Sequence, residues 1–212
     1  MKKFELTAEF VTNVFGKKLF RIKALVAFGN VEKGELGGFI EKEDNLSHDG
    51  DAWVSGNAQV FGDAWVSGNA RVCGNAQVSG NAWVSGNAQV FGDAWVSGNA
   101  RVCGNAQVSG NAQVSGNAQV FGNAQVFGNA DYAVVAGFGR YFRTTTFFRC
   151  KDKILRVQCG CFYGDLAQFR EIVKKTHGDS KYAKEYLAIA DLMELHFSDK
   201  CGGEQMNDGK IY

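Results

Sequence analysis

Acid–base, nucleophilic or metal chemistry in this chain would fall to three histidines, His48, His177 and His196, and six cysteines, Cys73, Cys103, Cys150, Cys159, Cys161 and Cys201. A metal centre needs three or four such ligands to converge, and the histidines are too dispersed for that. His177 falls at the expected C-terminus of a helix, where a cation is favoured without any catalytic role. Cys150 with Cys159-x-Cys161 has a spacing that invites a metal. Cys159 and Cys161 also share a strand face with Leu155 and Val157, however, which is the pattern of small thiols buried in a hairpin core. The expectation is no metal site. The cysteines fit no disulfide framework, the opening MKKFELTAEF lacks the apolar core of a signal peptide, and no stretch is apolar enough to span a bilayer. These features predict a cytoplasmic protein with free thiols and no membrane partner.

Charge excludes a second class of function. The chain of 212 residues has a formal net charge of +1, and residues 51–131 carry only Arg71 and Arg101 against Asp51, Asp63, Asp93 and Asp131. A phosphate-binding wall would need many more cations, so no nucleic-acid partner is expected.

The chain has 27 glycines and no proline, and the glycines are periodic. From Val54 to Asp131 the unit Val-x-Gly-Asn/Asp-Ala-x runs without insertion for thirteen hexads. A valine flanked by outward residues makes a short strand with Val inward. Gly-Asn or Gly-Asp supplies a corner, since both residue types tolerate positive φ, and Ala fits a tight interior. A six-residue period matches neither a helix nor a heptad. One hexad cannot bury its own valine, so the units must stack and be capped.

These hexads resemble the hexapeptide-repeat superfamily, in which three hexads form one triangular coil of a left-handed parallel β-helix. Here Gly follows the inward aliphatic by two positions rather than one. The run Gly34-Glu35-Leu36-Gly37-Gly38-Phe39-Ile40-Glu41, with Asn45-Leu46-Ser47, resembles the entry segment of acyltransferase-like hexapeptide-repeat proteins of bacteria and their phages. The resemblance covers roughly the first 130 residues. It implies an 18-residue coil, a little over four coils and a rod roughly 20 Å long at ~4.8 Å per strand. It also implies one catalytic candidate: members use a histidine as general base near a subunit interface, and only His48 lies close to the repeat. An active enzyme would take acyl-CoA between solenoids of a homotrimer.

With an 18-residue coil the outward residues sort onto three faces: Trp65, Trp83, Arg101 and Gln119; Trp53, Arg71, Gln89, Gln107 and Gln125; and Gln59, Gln77, Trp95, Gln113 and Asp131. Cys73 and Cys103 then point from different faces. The Trp65–Trp83–Arg101 ladder is the stickiest surface, because Trp and Arg dominate binding hot spots and stack on each other. Trp53, Arg71 and Trp95 are the further candidate interface residues, serving either a homotrimer or a foreign protein or small ligand. Residues 52–82 and 82–112 are identical in sequence. The offset of thirty is one coil and two thirds, so a copy lands on a different face. Such a duplication weighs toward scaffold and against chemistry on the repeat.

The predicted fold is mainly β: a hairpin and capping coil over residues 1–50, the solenoid over 51–138, a ββαα module over 139–198 and a polar tail over 199–212. The first hairpin turns at Gly16-Lys17-Lys18. The second joins Tyr141–Cys150 to Ile154–Phe162. Asp165 N-caps a helix with Gln168 three residues on, burying Leu166, Phe169, Ile172 and Val173 up to Gly178. A second helix from Lys181 to Phe197 buries Tyr182, Tyr186, Ile189, Met193 and Phe197. The expected function is a non-enzymatic binding or scaffold solenoid without cofactor, of a phage or prophage type that contacts or inhibits a host protein. The alternatives are an acyl-CoA-dependent acyltransferase and a self-assembling structural protein, the latter disfavoured by caps at both ends.

Overall fold

The computed structural model describes residues 2–198. It is a parallel β-solenoid of about five turns, closed at one end by antiparallel strands and at the other by an antiparallel sheet with two helices. Strands β1 (Phe4–Thr12) and β2 (Lys18–Ala24) form the expected hairpin, and β3 (Leu36–Ile40) joins β2 antiparallel. Thirteen two-residue strands, β4 to β16, follow from Trp53–Val54 to Gln125–Val126.

The eighteen-residue coil holds without slippage. Trp53 pairs with Arg71, Gln59 with Gln77 and Trp65 with Trp83, each parallel, and the three columns continue upward. The repeat valines from Val54 to Val126 are fully buried, and so are the repeat alanines from Ala58 to Ala124; Ala130, in the last hexad, is exposed. This closely packed interior is what the Val/Ala alternation dictates.

The corners depart from expectation in one respect. Only glycine adopts positive φ there; Gly68 and Gly86 sit at φ +67° and +68°. The asparagines stay out of the left-handed region and instead form ladders along the corners. Asn69 Nδ2 donates to Asn87 Oδ1 at 3.0 Å, Asn87 to Asn105 at 3.0 Å, and Asn105 to Asn123 at 3.2 Å. Stacked identical amides satisfy each other in this way in other parallel β stacks.

The first coil is irregular. The inward residues Ile40, Leu46 and Val54 are all buried. Leu46 follows Ile40 by the usual six residues, but Val54 follows Leu46 by eight. The two extra residues enlarge the corner at Ser47–Ala52, and they shift the pairings Phe39–Gln59 and Leu46–Val66 to an offset of twenty. Asn45 is fully buried, and its amide donates to the carbonyls of Gly62 and Ala64 at 3.0 and 2.8 Å.

The C-terminal module is larger than predicted. It is a four-stranded antiparallel meander, β17 (Tyr132–Phe138), β18 (Arg143–Arg149), β19 (Leu155–Cys159) and β20 (Phe162–Asp165), followed by α1 (Leu166–His177) and α2 (Lys181–Ser198). The expected ββαα is thus ββββαα, and β17, which ends at Phe138, lies wholly on the solenoid side of the expected boundary at 138. β17 escapes period-based reading because its outward residues are also apolar. Asp131, expected on a solenoid face, instead lies in a short 3-10 turn and accepts from the N–H groups of Phe127 and Gly128. The Asp165–Gln168 capping box forms as expected. Ile172 and Tyr182 are exposed rather than buried. The tail expected over 199–212 lies outside the described residues.

The end of the solenoid is sealed by β18 and its flanks. Phe148 and Cys150 join the solenoid core, Gln119 N–H donates to Thr146 Oγ1, and Lys151 N–H to the Asn123 carbonyl. Unpaired strand edges invite further pairing, and here they are occupied.

The glycine columns give a sharp test. A Cβ on Gly86 would lie 3.0 Å from the backbone N and O of Gly104, whereas one on Gly116, at φ +65°, would meet nothing within 4 Å. Gly116→Ala should cost about 1 kcal/mol, the left-handed penalty alone. Gly86→Ala should cost about 2 kcal/mol or more, because the next coil must also move. Equal costs in denaturant unfolding would refute the stacking account.

Candidate functional site

The face carrying Trp65, Trp83, Arg101 and Gln119 is a four-stranded parallel sheet. Neighbouring strands lie ≈4.8 Å apart, so outward rings on successive coils are held at stacking distance. The Trp65 and Trp83 rings stack with centroids 5.2 Å apart at 26°. Trp83 Nε1 donates to Ser67 Oγ at 3.3 Å, which fixes its lean, and the Arg101 guanidinium sits 5.4 Å from the Trp83 ring. Trp65 and Trp83 remain 42% and 36% exposed, so the stack is open to a partner.

The ladder is charge-polarised along the rod. At the N-terminal end a cleft of 470 Å³ is lined by Glu43, Asp44, His48 and Asp49 beside Trp65. At the other end a cleft of 400 Å³ is lined by Arg101, Gln119, Arg143 and Thr144 with Asn99 and Asn117. Among the described residues the ion pairs of arginine use Arg21, Arg156 and Arg170, leaving Arg101 and Arg143 unpaired. Sequence reading found the ladder but missed both ends. The acidic cleft depends on the two-residue enlargement of the first corner, and Arg143 arrives from a separate sheet.

The other candidate residues are not brought into this face. Trp53 is 2% exposed, packed edge-on against Phe28 at 5.4 Å; the N-terminal cap covers it, so it is core and not interface. Arg71 lies half-buried beside Trp53 on the same face. Trp95 is partly covered by Phe15 from the β1–β2 turn, with ring centroids 6.2 Å apart, and its Nε1 donates to Ser79 Oγ at 3.1 Å.

His48 stacks on Phe4 at 4.4 Å. Its Nδ1 accepts from the Lys3 backbone N–H at 3.1 Å, and Nε2 lies 3.8 Å from Glu43. A neutral imidazole has one lone pair, and here the backbone occupies it. His177 stacks on Tyr186 and His196 lies against Phe197, both in the C-terminal module. Among the described residues no group of three or more His, Cys, Asp and Glu side chains could hold a metal ion. Burial pushes the Cys103 thiol up to about 11, against the opposing pull of Arg101, and raises that of Cys73; protonated thiols are poor nucleophiles. Cys150 is buried and Cys159 half-buried, but Cys161 is exposed at the β19–β20 turn rather than in the hairpin core. Among the described residues no helix is long and apolar enough to cross a membrane.

These features define a capped parallel β-solenoid built from a six-residue repeat. Eight overlapping seventeen-residue stretches, from 58–74 to 112–128, match the family model described as YdcK Beta solenoid repeat. Together they span residues 58–128, about a third of the chain, and each is close to one coil long. No curated protein matches the chain.

Trp53 and Trp65 differ in fate despite identical neighbours in sequence. Trp53→Gln should destabilise by about 3–5 kcal/mol, and Trp65→Gln by about 1 kcal/mol or less; comparable losses in thermal unfolding would contradict these placements. Lys3 offers a pH test in the same cap. Its ammonium donates to the carbonyls of Gly50 and Ala52 at 3.1 and 2.9 Å. Burial lowers its pKa from 10.5 to about 8, despite the raising effect of Asp51 and Asp49. The unfolded chain therefore holds more protons between these values, so this residue makes stability rise with pH across that window and leaves it flat below about 8, where both states are protonated. The stability of the wild type minus that of Lys3→Met should climb from pH 8 to 10.5; a flat difference would remove the assignment.

Proposed function

We propose that this protein is a non-catalytic binding scaffold that docks a protein partner on the Trp65–Trp83–Arg101 face. On the prophage-type reading suggested by the entry segment, the partner is a host protein. The observation that carries the proposal is the stacked, exposed tryptophan pair with a cation over one end and an open cleft beyond each end. Exposed Trp and Arg side by side are the residues that concentrate binding energy, and the flanking clefts supply opposite charges for orientation. The rigid sheet holds the rings in place before binding, so little rotamer entropy is lost on docking.

The alternatives are weaker on this geometry. An acyl-CoA-dependent acyltransferase needs a base with a free lone pair, and the Nδ1 lone pair of His48 is engaged by Lys3. A self-assembling filament needs open ends, and the occupied strand edges at the C-terminal end oppose end-to-end growth. Self-association on the ladder face is a second reading with its own support. A parallel homotrimer packed on this face would set like charges abreast. An antiparallel pair with its two-fold axis near Trp83 would set Trp65 against the Arg101 of a second copy, and the acidic cleft against its Arg143. That order of charges is self-complementary, as a two-fold interface requires.

Both readings are tested with Trp65→Gln/Trp83→Gln. Thermal unfolding should change little, while the complex isolated from the cells that express the wild type should be lost, corresponding to about 2 kcal/mol or more of binding. Retention of the complex would reject the face. Sedimentation velocity separates the readings: a dimer that Arg101→Glu dissociates supports antiparallel self-pairing, and a monomer with a foreign protein bound supports the scaffold.

A further inference from the structure

The C-terminal module contains a cavity that the solenoid's binding role does not use. It has a volume of 440 Å³ and lies between the β17–β18 turn, the β19–β20 turn and α1. Its floor is apolar, with Phe162, Phe169, Ile172 and Val173, and its mouth is ringed by Arg140, Tyr141, Arg143 and His177. That size and a mostly apolar lining with a few polar groups at one end are the ordinary features of a small-molecule site.

Three observations narrow the ligand. First, no carboxylate lines the cavity, while two arginines do. Among the described residues neither guanidinium has an ion-pair partner. Both are instead propped against one ring, with Arg140 5.6 Å and Arg143 5.1 Å from the Tyr141 centroid. Arginine is the side chain suited to paired hydrogen bonds with a carboxylate, sulfonate or phosphate. Second, the apolar floor is left open: Ile172 stands 38% exposed on α1, off the stripe that Phe169 and Val173 bury. Third, the turn that carries the arginines is held in an unusual shape. Phe142 adopts φ 49°, a conformation non-glycine residues rarely take. Gly139 N–H donates to Glu185 Oε2 at 2.9 Å, which ties the base of this turn to α2. Tyr186, kept neutral because burial, with Cys159 beside it, pushes its phenol up to about 12, donates its O–H to the Phe138 carbonyl at 3.5 Å and so ties the base of the same turn to α2 a second time.

We propose that this cavity binds a small amphipathic anion: a carboxylate or similar acid group held by Arg140 and Arg143, with an aliphatic or aromatic body on Phe162, Phe169, Ile172 and Val173. Arg143 lines both this cavity and the cleft at the basic end of the ladder. A bound anion therefore neutralises a charge that the solenoid face also presents, which links the two sites through one side chain. The inference stands on the cavity alone and does not require the ladder to bind anything.

The test uses the full chain and two probes of equal length, octanoate and 1-octanol, followed by amide chemical shifts in an NMR titration. Octanoate should shift residues 140–143 and 169–177 and bind about tenfold or more tighter than octanol, as expected for charge-assisted hydrogen bonds. Arg140→Gln/Arg143→Gln should erase that preference and leave octanol binding in place. Both arginines are exposed, so the variant should keep the wild-type amide spectrum away from the cavity. Ile172→Glu should weaken both probes. Equal affinity for the two probes, an unchanged preference in the double variant, or shifts confined to other surfaces would each overturn the assignment.

Discussion

Each coil of the solenoid hangs from the next by main-chain hydrogen bonds at a fixed offset. Trp83, Ser85 and Asn87 donate to the carbonyls of Ala100, Val102 and Gly104 at 2.9, 3.0 and 2.7 Å, and this pattern recurs along the rod. The ladder fixes coil spacing, and coil spacing decides what each column can hold. Glycine is required at the corner because the next coil's backbone lies within contact of any Cβ. Asparagine follows because an amide can donate to its own kind one coil on. Valine and alanine fill an interior with no width to spare. The tryptophan stack is a by-product of the same spacing, since rings on successive strands meet at the distance that aromatic pairs prefer. The Trp65–Trp83–Arg101 face therefore takes its rigidity from the backbone ladder and needs no special support.

A ladder of this kind has two ends, and the flanks exist to close them. At the first coil, Asn45 and the enlarged corner break the period, and Lys3 reaches in to the carbonyls of Gly50 and Ala52. At the last coil, Asn129 Oδ1 accepts from Gln113 N–H at 2.8 Å and Thr146 does the same for Gln119. Side chains thus replace the missing next coil. The charged clefts sit at these transitions: the acidic cleft grows from the enlarged corner, and Arg143 comes from the closing sheet. The irregular termini supply charges that the nearly uncharged repeat lacks.

The repeat was readable from sequence because its signal is redundant: thirteen hexads each state the same inward valine, and the three faces follow once the coil is eighteen residues. The helices were readable through a capping box and an apolar stripe. What escaped was whatever depends on contacts between distant segments. Nothing near Trp53 distinguishes it from Trp65; only Phe28, folded back from the N-terminal cap, makes it core. Nothing near Trp95 reveals Phe15. The asparagine ladders were missed because an isolated Gly-Asn reads as a turn, whereas stacked copies read as a hydrogen-bonded column. β17 lacked the polar alternation that marks a strand.

The internal duplication explains how a face can arise without selection for each residue. A shift of thirty carries Trp53 to Trp83, Trp65 to Trp95 and Arg71 to Arg101. Because thirty residues are one coil and two thirds, every copy changes face. Trp65 belongs to the ladder in place, but its copy Trp95 falls where the first hairpin's turn covers it. Trp53 is sealed under the cap, and its copy Trp83 emerges on the ladder beside Trp65. Arg71 lies over the buried tryptophan's column, and its copy Arg101 lands above Trp83. The same duplication that scrambles any older single-face site thus assembles the Trp–Trp–Arg run from parts of two different faces. A catalytic constellation would not survive such a shift, since its geometry is needed to a fraction of an ångström. A binding ladder tolerates it, because stacking asks only for an aromatic ring or a cation one coil away.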